Sequence, residues 1–381
     1  MEIKNLKKAA KRILRAIENK EKIILYGDAD LDGVSTTILL KEAIKNLGGE
    51  ITSIYFPDRE KNGYGLTKGA LYFLKEKAPA LLITLDLGIS NFEEISLAKK
   101  LGFEVMIIDH HEILDKLPKT DIIVDPKQKG DKSSLQYLAT VGIVYKLSEI
   151  LFSNKMSPEL KQNFLELVAL GTIADLMPRE EENEIMIAQG LQSIANSWRP
   201  GIKAFFRERS FENYNIFQKV SKLISLLNVR DVQNQLPASY RLLTASSFEE
   251  IKNILGILIE KSFERKRKIE EIREEIERRI FGREEQIVFE GDSSFELILL
   301  GSVASTISQK YQKPTFLFKK NEKESQGTAR TAKGLDLVKA MKSCAMLLES
   351  FGGHSPAAGF RIKNENLEKF KECLIKYFKN L

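Results

Sequence analysis

The strongest constraint on the fold is an alternation in the first third of the chain. Short apolar runs at residues 22–26, 51–56, 81–85, 104–108 and 122–124 are interspersed with helical spacing at about 35–47 and 91–101. Runs this short and this apolar are expected as strands of a parallel sheet covered by helices on both faces. In such sheets ligands gather beyond the carboxyl ends of the strands. From about 135 to 209 the pattern is mainly helical, and 210–245 is polar with no clear period. A long charged helix is expected over 248–280, with mixed charges that favour i,i+4 pairs and a solvated, connecting role. A second α/β block follows, with strands expected near 286–289, 296–300 and 315–318 and helices near 335–349 and 367–378. At 381 residues the chain exceeds one typical core. The expected class is therefore α/β, with a first domain over 1–245 (its helical part about 135–245), a connector helix over 246–282 and a smaller α/β domain over 283–381.

Acidic and imidazole groups fall at the ends of the apolar runs. Asp28, Asp30 and Asp32 follow the first, Asp86 the third, and Asp109, His110 and His111 the fourth, while Asp175 follows the apolar helical stretch 167–174. Carboxylates beside hydrophobic strands are costly to bury, and gathered together they repel. A cation removes both costs. Carboxylate and imidazole together suit manganese, or magnesium with water, better than calcium. The run 28–33 also fits the first half of an EF-hand loop, but the twelfth position is Leu39 rather than a bidentate Glu, and an apolar strand precedes it. The chain has three histidines, and the third, His354, lies in the glycine-rich stretch 351–360. Histidines used so sparingly, each at a strand end or in a glycine-rich loop, point to chemistry more than to packing.

The remaining composition excludes little. The net charge of +6 is compatible with a polyanionic partner. No apolar stretch approaches the roughly 20 residues that span a bilayer. The first 22 residues place Ile3, Leu6, Ala10, Ile13, Leu14 and Ile17 at helical spacing among lysines and arginines. They read as a basic amphipathic helix packed on the domain, with a nucleic-acid or membrane contact as the alternative, and not as a signal peptide. The two cysteines, Cys344 and Cys373, form no CxxC pattern, which fits a reducing compartment and argues against a disulfide framework.

With these residues assembled, the chain resembles the DHH phosphoesterase superfamily, and within it the RecJ-like single-strand exonucleases. The resemblance rests on Gly27–Gly33, Leu85–Ile89, Asp109-His110-His111-Glu112 and Gly171–Asp175, in that order. Pro57-Asp58-Arg59, Gly63-Tyr64-Gly65-Leu66 and Asp125-Pro126-Lys127-Gln128 are similar to further RecJ segments. In the second half, Gly327-Thr328-Ala329-Arg330 and Phe351-Gly352-Gly353-His354 resemble the DHHA1 domain. Two departures stand out. The Asn-Ala-Ala-Gly-Arg-like run of RecJ proteins is replaced around Leu223–Arg230, and the segment Leu300–Ser305 is shortened. Nothing follows residue 381, so the oligonucleotide-binding fold of long bacterial RecJ proteins is not expected.

The resemblance implies phosphodiester hydrolysis with two divalent metal ions, manganese first and magnesium as the alternative. The implied ligands are Asp30, Asp32, Asp86, His110 and Asp175, with Asp86 bridging and Asp28 a ligand or a partner of one. Asp109 would orient an imidazole, and His111 would contact phosphate or protonate the leaving oxygen. Arg59, Tyr64, Arg330, Gly352, Gly353 and His354 are the candidates for substrate binding, in a cleft between the two domains. The expected partner is single-stranded DNA or RNA, or short oligonucleotides, acted on in the cytoplasm without a membrane. A nano-oligonucleotide or cyclic-dinucleotide phosphodiesterase is the first alternative. A non-catalytic, RecJ-like replication scaffold is the second, and an inorganic pyrophosphatase ranks lower.

Overall fold

The computed structural model describes residues 2–58, 65–113, 116–153, 155–229, 231–331 and 334–379, with backbone alone at His354. The chain divides into two compact units, Met1–Glu260 and Lys261–Leu381. The division falls inside one helix, Phe248–Ile280.

The first unit opens with α1 (Leu6–Glu18), β1 (Ile23–Gly27), α2 (Leu31–Asn46), β2 (Ser53–Tyr55) and α3 (Lys68–Leu74). It continues through β3 (Ala80–Leu85), α4 (Phe92–Lys100), β4 (Phe103–Ile108), β5 (Ile122–Val124), α5 (Thr140–Leu151) and α6 (Pro158–Ala174). The five strands form one sheet in the order β2-β1-β3-β4-β5, and every pairing is parallel. Every residue of β1 and β3 is buried. Alternate side chains enter two different cores. Ile23, Leu25, Leu81, Ile83, Met106 and Ile108 pack with α1, α2, α5 and α6 on one face. Ile24, Tyr26, Leu82, Val105 and Ile107 pack with α3 and α4 on the other. Both faces are therefore covered, as the unbroken apolar runs require.

The remainder of this unit is helical: α7 (Glu181–Ser193), α8 (Pro200–Phe206), α9 (Ile216–Leu227), a two-residue ladder of β6 (Val232–Gln233) with β7 (Leu236–Pro237), α10 (Ala238–Thr244) and the start of α11 (Phe248–Ile280). The polar stretch 210–245 owes its order to capping and burial. Asn215 and Gln218 form a reciprocal capping box, and Val220, Leu223, Leu226 and Leu227 are buried.

In the second unit, β8 (Val288–Asp292), α12 (Leu297–Tyr311), β9 (Thr315–Lys320), β10 (Glu324–Arg330), α13 (Leu337–Ser343), β11 (Ser350–His354), β12 (Ala357–Lys363) and α14 (Leu367–Lys379) follow in order. The sheet runs β11-β12-β10-β9-β8, antiparallel except for β8 with β9.

Several expectations are corrected here. Helix α2 begins at Leu31, not near 35, because the Asp30 carboxylate caps it by accepting the Gly33 N–H. The expected strand at 296–300 is part of α12, whose Leu299, Leu300, Val303, Ala304 and Ile307 are buried at helical spacing. The expected helix at 335–349 covers only Leu337–Ser343, followed by a short turn of 3₁₀ helix. Strands β10, β11 and β12 are additions to the expected set, because their glycine, alanine and serine content hides the alternation. Finally, Cys344 and Cys373 are joined in a disulfide between α13 and α14, against the expectation of unpaired cysteines. The two positions are 29 residues apart in sequence, and only the packing of the two helices brings them together.

Candidate metal centre

The carboxyl ends of β1, β3 and β4 lie side by side in the sheet, and each is followed at once by an acidic residue. The backbone N–H of Asp28 donates to Leu85 O, that of Asp86 to Ile108 O and that of Asp109 to Val124 O. The ladder thus carries one step past each strand and holds the three carboxylates at one edge. Asp86 sits at φ 64, a left-handed conformation that is strained for a residue with a side chain. Gly33 is required by close approach, since a Cβ there would lie 2.4 Å from the Asp28 carbonyl oxygen.

Asp32, in the first turn of α2, is 2% exposed. Its two oxygens accept the N–H groups of Thr140 (2.8 Å) and Val141 (3.0 Å) at the start of α5. The Thr140 hydroxyl donates to Asp86 Oδ1 at 2.9 Å. Asp175 caps the end of α6, and Gly171 on the same helix leaves room for Asp32, because a Cβ there would lie 3.1 Å from Asp32 Oδ1. His110 places Nε2 3.5 Å from Asp86 Oδ1 and 3.4 Å from Asp175 Oδ2. Three overlapping sets have ligand atoms close enough to share an ion: Asp86, His110 and His111; Asp32, His110 and Asp175; Asp28, Asp30 and Asp86.

Burial raises the Asp32 carboxyl to about 8, with Asp175 and Asp30 adding repulsion. It also drives Asp86 well above the usual carboxylate range, reinforced by Asp32 and Asp30. Asp175 rises to about 6, by burial and then by Asp30. The same burial lowers His110 to about 4, with His111 contributing, so His110 is neutral and able to ligate. Its Nδ1 is buried with no hydrogen-bond partner, as is Asp175 Oδ2. Buried carboxyls that repel, a neutral imidazole and orphaned polar atoms fit a divalent cation site.

The neighbouring pair behaves differently. Asp109 is fully buried and accepts four bonds: from the N–H groups of Ile89, His110 and His111, and from His111 Nδ1 at 2.7 Å. Burial opposes the His111 cation, but the Asp109 contact outweighs it and raises the imidazole to about 9. The His111 side chain is 55% exposed, so a cationic imidazole faces the solvent beside the acidic cluster.

Of the substrate-binding candidates, Arg59 and Tyr64 lie outside the described residues. Arg330, at the end of β10, donates to the Thr328 hydroxyl and the Ala329 carbonyl, and a Cβ at Gly301 would lie 3.0 Å from its Nη2. Gly352, Gly353 and His354 lie on β11 in the same unit. Four further residues received no individual role from the sequence, although Asp125 and Lys127 lie in a segment it singled out. Thr140 ties Asp86 to Asp32, and a lone threonine in an apolar run gives no local signal of that. Asp125 is fully buried beyond β5 and rises to about 7 by burial, and Lys127 places Nζ 3.1 Å from Glu112. Arg265 reads as one charge in a solvated helix, yet Nη2 donates to the Ser302 hydroxyl at 3.2 Å. Burial lowers both Arg265 and Arg330, and neither has a carboxylate within ion-pair distance among the described residues.

Comparison with known families agrees with this geometry. The family described as "DHH family, N-terminal domain" matches residues 22–172, and the DHHA1 domain matches residues 286–380. The chain therefore carries a DHH-family domain followed by a DHHA1 domain. Among DHH relatives, the single-stranded-DNA-specific exonuclease RecJ of Bacillus subtilis is 32% identical over 386 residues, covering 98% of this chain and 48% of that protein. The chain thus spans about half the length of that relative. Its fold matches the crystal structure of an exonuclease RecJ bound to manganese, with a TM-score of 0.81, 24% identity and coverage of 100% and 96% of the two chains. RecJ of Thermus thermophilus in complex with Mn2+ matches with a TM-score of 0.84 at 24% identity, covering all of this chain and 55% of the other.

Proposed function

We propose that this chain is a metal-dependent phosphodiesterase that degrades single-stranded nucleic acid from an end; its RecJ relatives are named single-stranded-DNA-specific exonucleases. The observation that carries the reading is the convergence of Asp28, Asp30, Asp32, Asp86, His110 and Asp175 at one sheet edge, where buried carboxylates repel when ionised and a divalent cation would offset that repulsion. Two divalent ions, manganese in the first instance, would be held there by Asp28, Asp30, Asp32, Asp86, His110 and Asp175. When bound they supply a water acidic enough to attack phosphorus and positive charge opposite the developing negative charge. The protein's own work is positioning. Thr140 and the amides of α5 hold Asp86 and Asp32, and Asp109 fixes the direction of the His111 ring and favours its cationic form. His111, protonated and exposed, is suited to contact a phosphate oxygen or give its proton to the leaving oxygen.

In the second unit, Arg330 from β10 and Arg265 from α11 are uncompensated guanidiniums that reach the adjacent positions Gly301 and Ser302 of α12, suited to a phosphate of the substrate. Gly352, Gly353, His354, Arg59 and Tyr64 complete the proposed substrate contacts. The division of labour is a catalytic domain over 1–245, a connector over 246–282 and a substrate-binding domain over 283–381. Among the described residues no helix is long and apolar enough to cross a membrane. A cytoplasmic site of action is part of the same proposal.

The test is a time course with manganese on single-stranded DNA labelled at either end, on the matching RNA, and on linear and cyclic dinucleotides. An Asp86→Ala variant is the control. A ladder growing from one end of long strands, absent in the variant, is expected. Cleavage of only the dinucleotides would replace the exonuclease with a short-substrate phosphodiesterase. No cleavage with manganese or magnesium would overturn the catalytic reading.

A further inference from the structure

The N-terminal segment carries more lysine than packing requires. The apolar side of α1, with Leu6, Ala9, Ala10 and Ile13, is buried in the core. Two of the cations here are neutralised locally: Arg12 by Glu21 and Glu104, and Lys7 by Glu2. Lys4, Lys8 and Lys11 are exposed and have no carboxylate within ion-pair distance among the described residues. Lys8 and Lys11 stand three positions apart and so share one face of α1. Lys4 lies just before the helix.

Lys4 and Lys8 are tied to the segments that flank β5. The Lys4 ammonium donates to Lys129 O and that of Lys8 to Asp121 O, both at 2.8 Å. These carbonyls fix the ammonium groups without cancelling their charge. Asn5 Nδ2 and Gln128 Nε2 both donate to Ile123 O, which locks the start of α1 onto the turn after β5. The turn adds exposed Lys129 and Lys132. It then leads back through Lys127, paired with Glu112, to Asp125, whose strand lies beside the one that ends at Asp109 and His110. The acids nearby cancel little of this charge. Asp131 accepts the Lys4 and Ser133 N–H groups and the Ser133 hydroxyl, and Glu112 faces Lys127. Asp121 meets Lys8 through its carbonyl, and its carboxylate makes no ion pair with the three lysines. A row of unneutralised ammonium groups, two of them held in place by carbonyls, suits a regularly spaced polyanion and does not read bases.

We propose that Lys4, Lys8 and Lys11, with Lys129 and Lys132, bind the phosphodiester backbone of single-stranded nucleic acid along a row that starts at the turn after β5 and runs along α1 towards the amino ends of β5 and β4. The proposal rests on the substrate class proposed above. The track neutralises phosphates outside the catalytic pocket, so it sets affinity for long strands and leaves the chemical step alone.

The experiment measures anisotropy of a labelled 20-nucleotide single strand with the full chain in chelator, from 50 to 300 mM KCl. Wild type is compared with Lys4→Gln/Lys8→Gln/Lys11→Gln and with the equally charged control Lys45→Gln/Lys75→Gln/Lys77→Gln, whose positions lie at the end of α2 and just before β3. Each phosphate left without its lysine flattens log K against log[salt] by about 0.7 for single strands, so the track variant should flatten it by about 2. The control should match wild type, and turnover of a dinucleotide with manganese should be the same in all three. A track variant that folds with an unchanged melting temperature and keeps the wild-type slope overturns the proposal, as does equal flattening in the control. If wild type neither binds nor cleaves the strand, the substrate class itself fails, which is a different result from a strand bound with an unaltered slope.

Discussion

Asp32 accepts two helix N-terminal amides and still holds its proton to about 8, because burial and the neighbouring carboxylates outweigh those bonds. At pH 7 the metal-free site therefore carries bound protons that a cation must displace. Manganese binding is expected to release at least about one proton at pH 7. Calorimetry in two buffers of different ionisation enthalpy measures this, and apparent affinity should climb from pH 6 to 8. The same shifts set metal-free stability. Asp32, Asp86, Asp125 and Asp175 all bind protons more tightly folded than unfolded, so stability is lost as pH rises through their folded values. His110, lowered to about 4, acts in the opposite sense only below its unfolded value of 6.5. His111, raised to about 9, adds to the loss above it. Between pH 6.5 and 8 Asp32, Asp125 and His111 are still titrating, and all three lower metal-free stability. Saturating manganese should flatten that slope in thermal melts. A melting temperature with no manganese-dependent change in slope would refute the site electrostatics.

At the scale of elements, periodicity is a good guide where one element packs by itself and a poor one where partners decide. The strands of the first sheet are legible because both faces are buried, so each is a continuous apolar run. The run Leu297–Leu300 has the same composition but belongs to a helix, since a short apolar run cannot by itself distinguish the two. Strands β10 and β12 pair over seven residues, Glu324–Arg330 with Ala357–Lys363, and each supports a pattern the other alone would not show. The link between α13 and α14 is another such partnership. Under non-reducing conditions, Cys373→Ser should destabilise the second unit by about 2–4 kcal/mol, from a cross-link closing a loop of this length. Under reducing conditions the variant and wild type should converge. Denaturant melts with and without reductant distinguish the two.

At the scale of the whole molecule, the two units draw on separate cores. The two clusters that flank the parallel sheet are built entirely from residues up to 259, and the other two from residues beyond 268. All six proposed metal ligands lie in the first unit. Residues 1–260 alone should therefore fold cooperatively and bind manganese with wild-type stoichiometry. They should lose most activity on long strands, because Arg265, Arg330 and β11 are gone. A circular-dichroism melt, manganese calorimetry and the end-labelled assay test the three parts. A fragment that melts without a transition would show that the second unit is needed for folding.

The linear sequence by itself determined the parallel sheet, the placing of acidic and imidazole groups at its strand ends, and the long helix. These are local matters: the period of apolar residues, the residue that follows a strand, and charge spacing along one helix. Only the tertiary structure decided that Thr140 would join Asp86 to Asp32, that Asp125 would be buried beside the DHH motif, and that Arg265 would lie against Ser302. It also joined Cys344 to Cys373 and carried Lys4 to the turn after β5. The bonded partners among these lie from 29 to 125 positions apart. Such contacts form only when separate elements pack, and no local pattern in the chain records them.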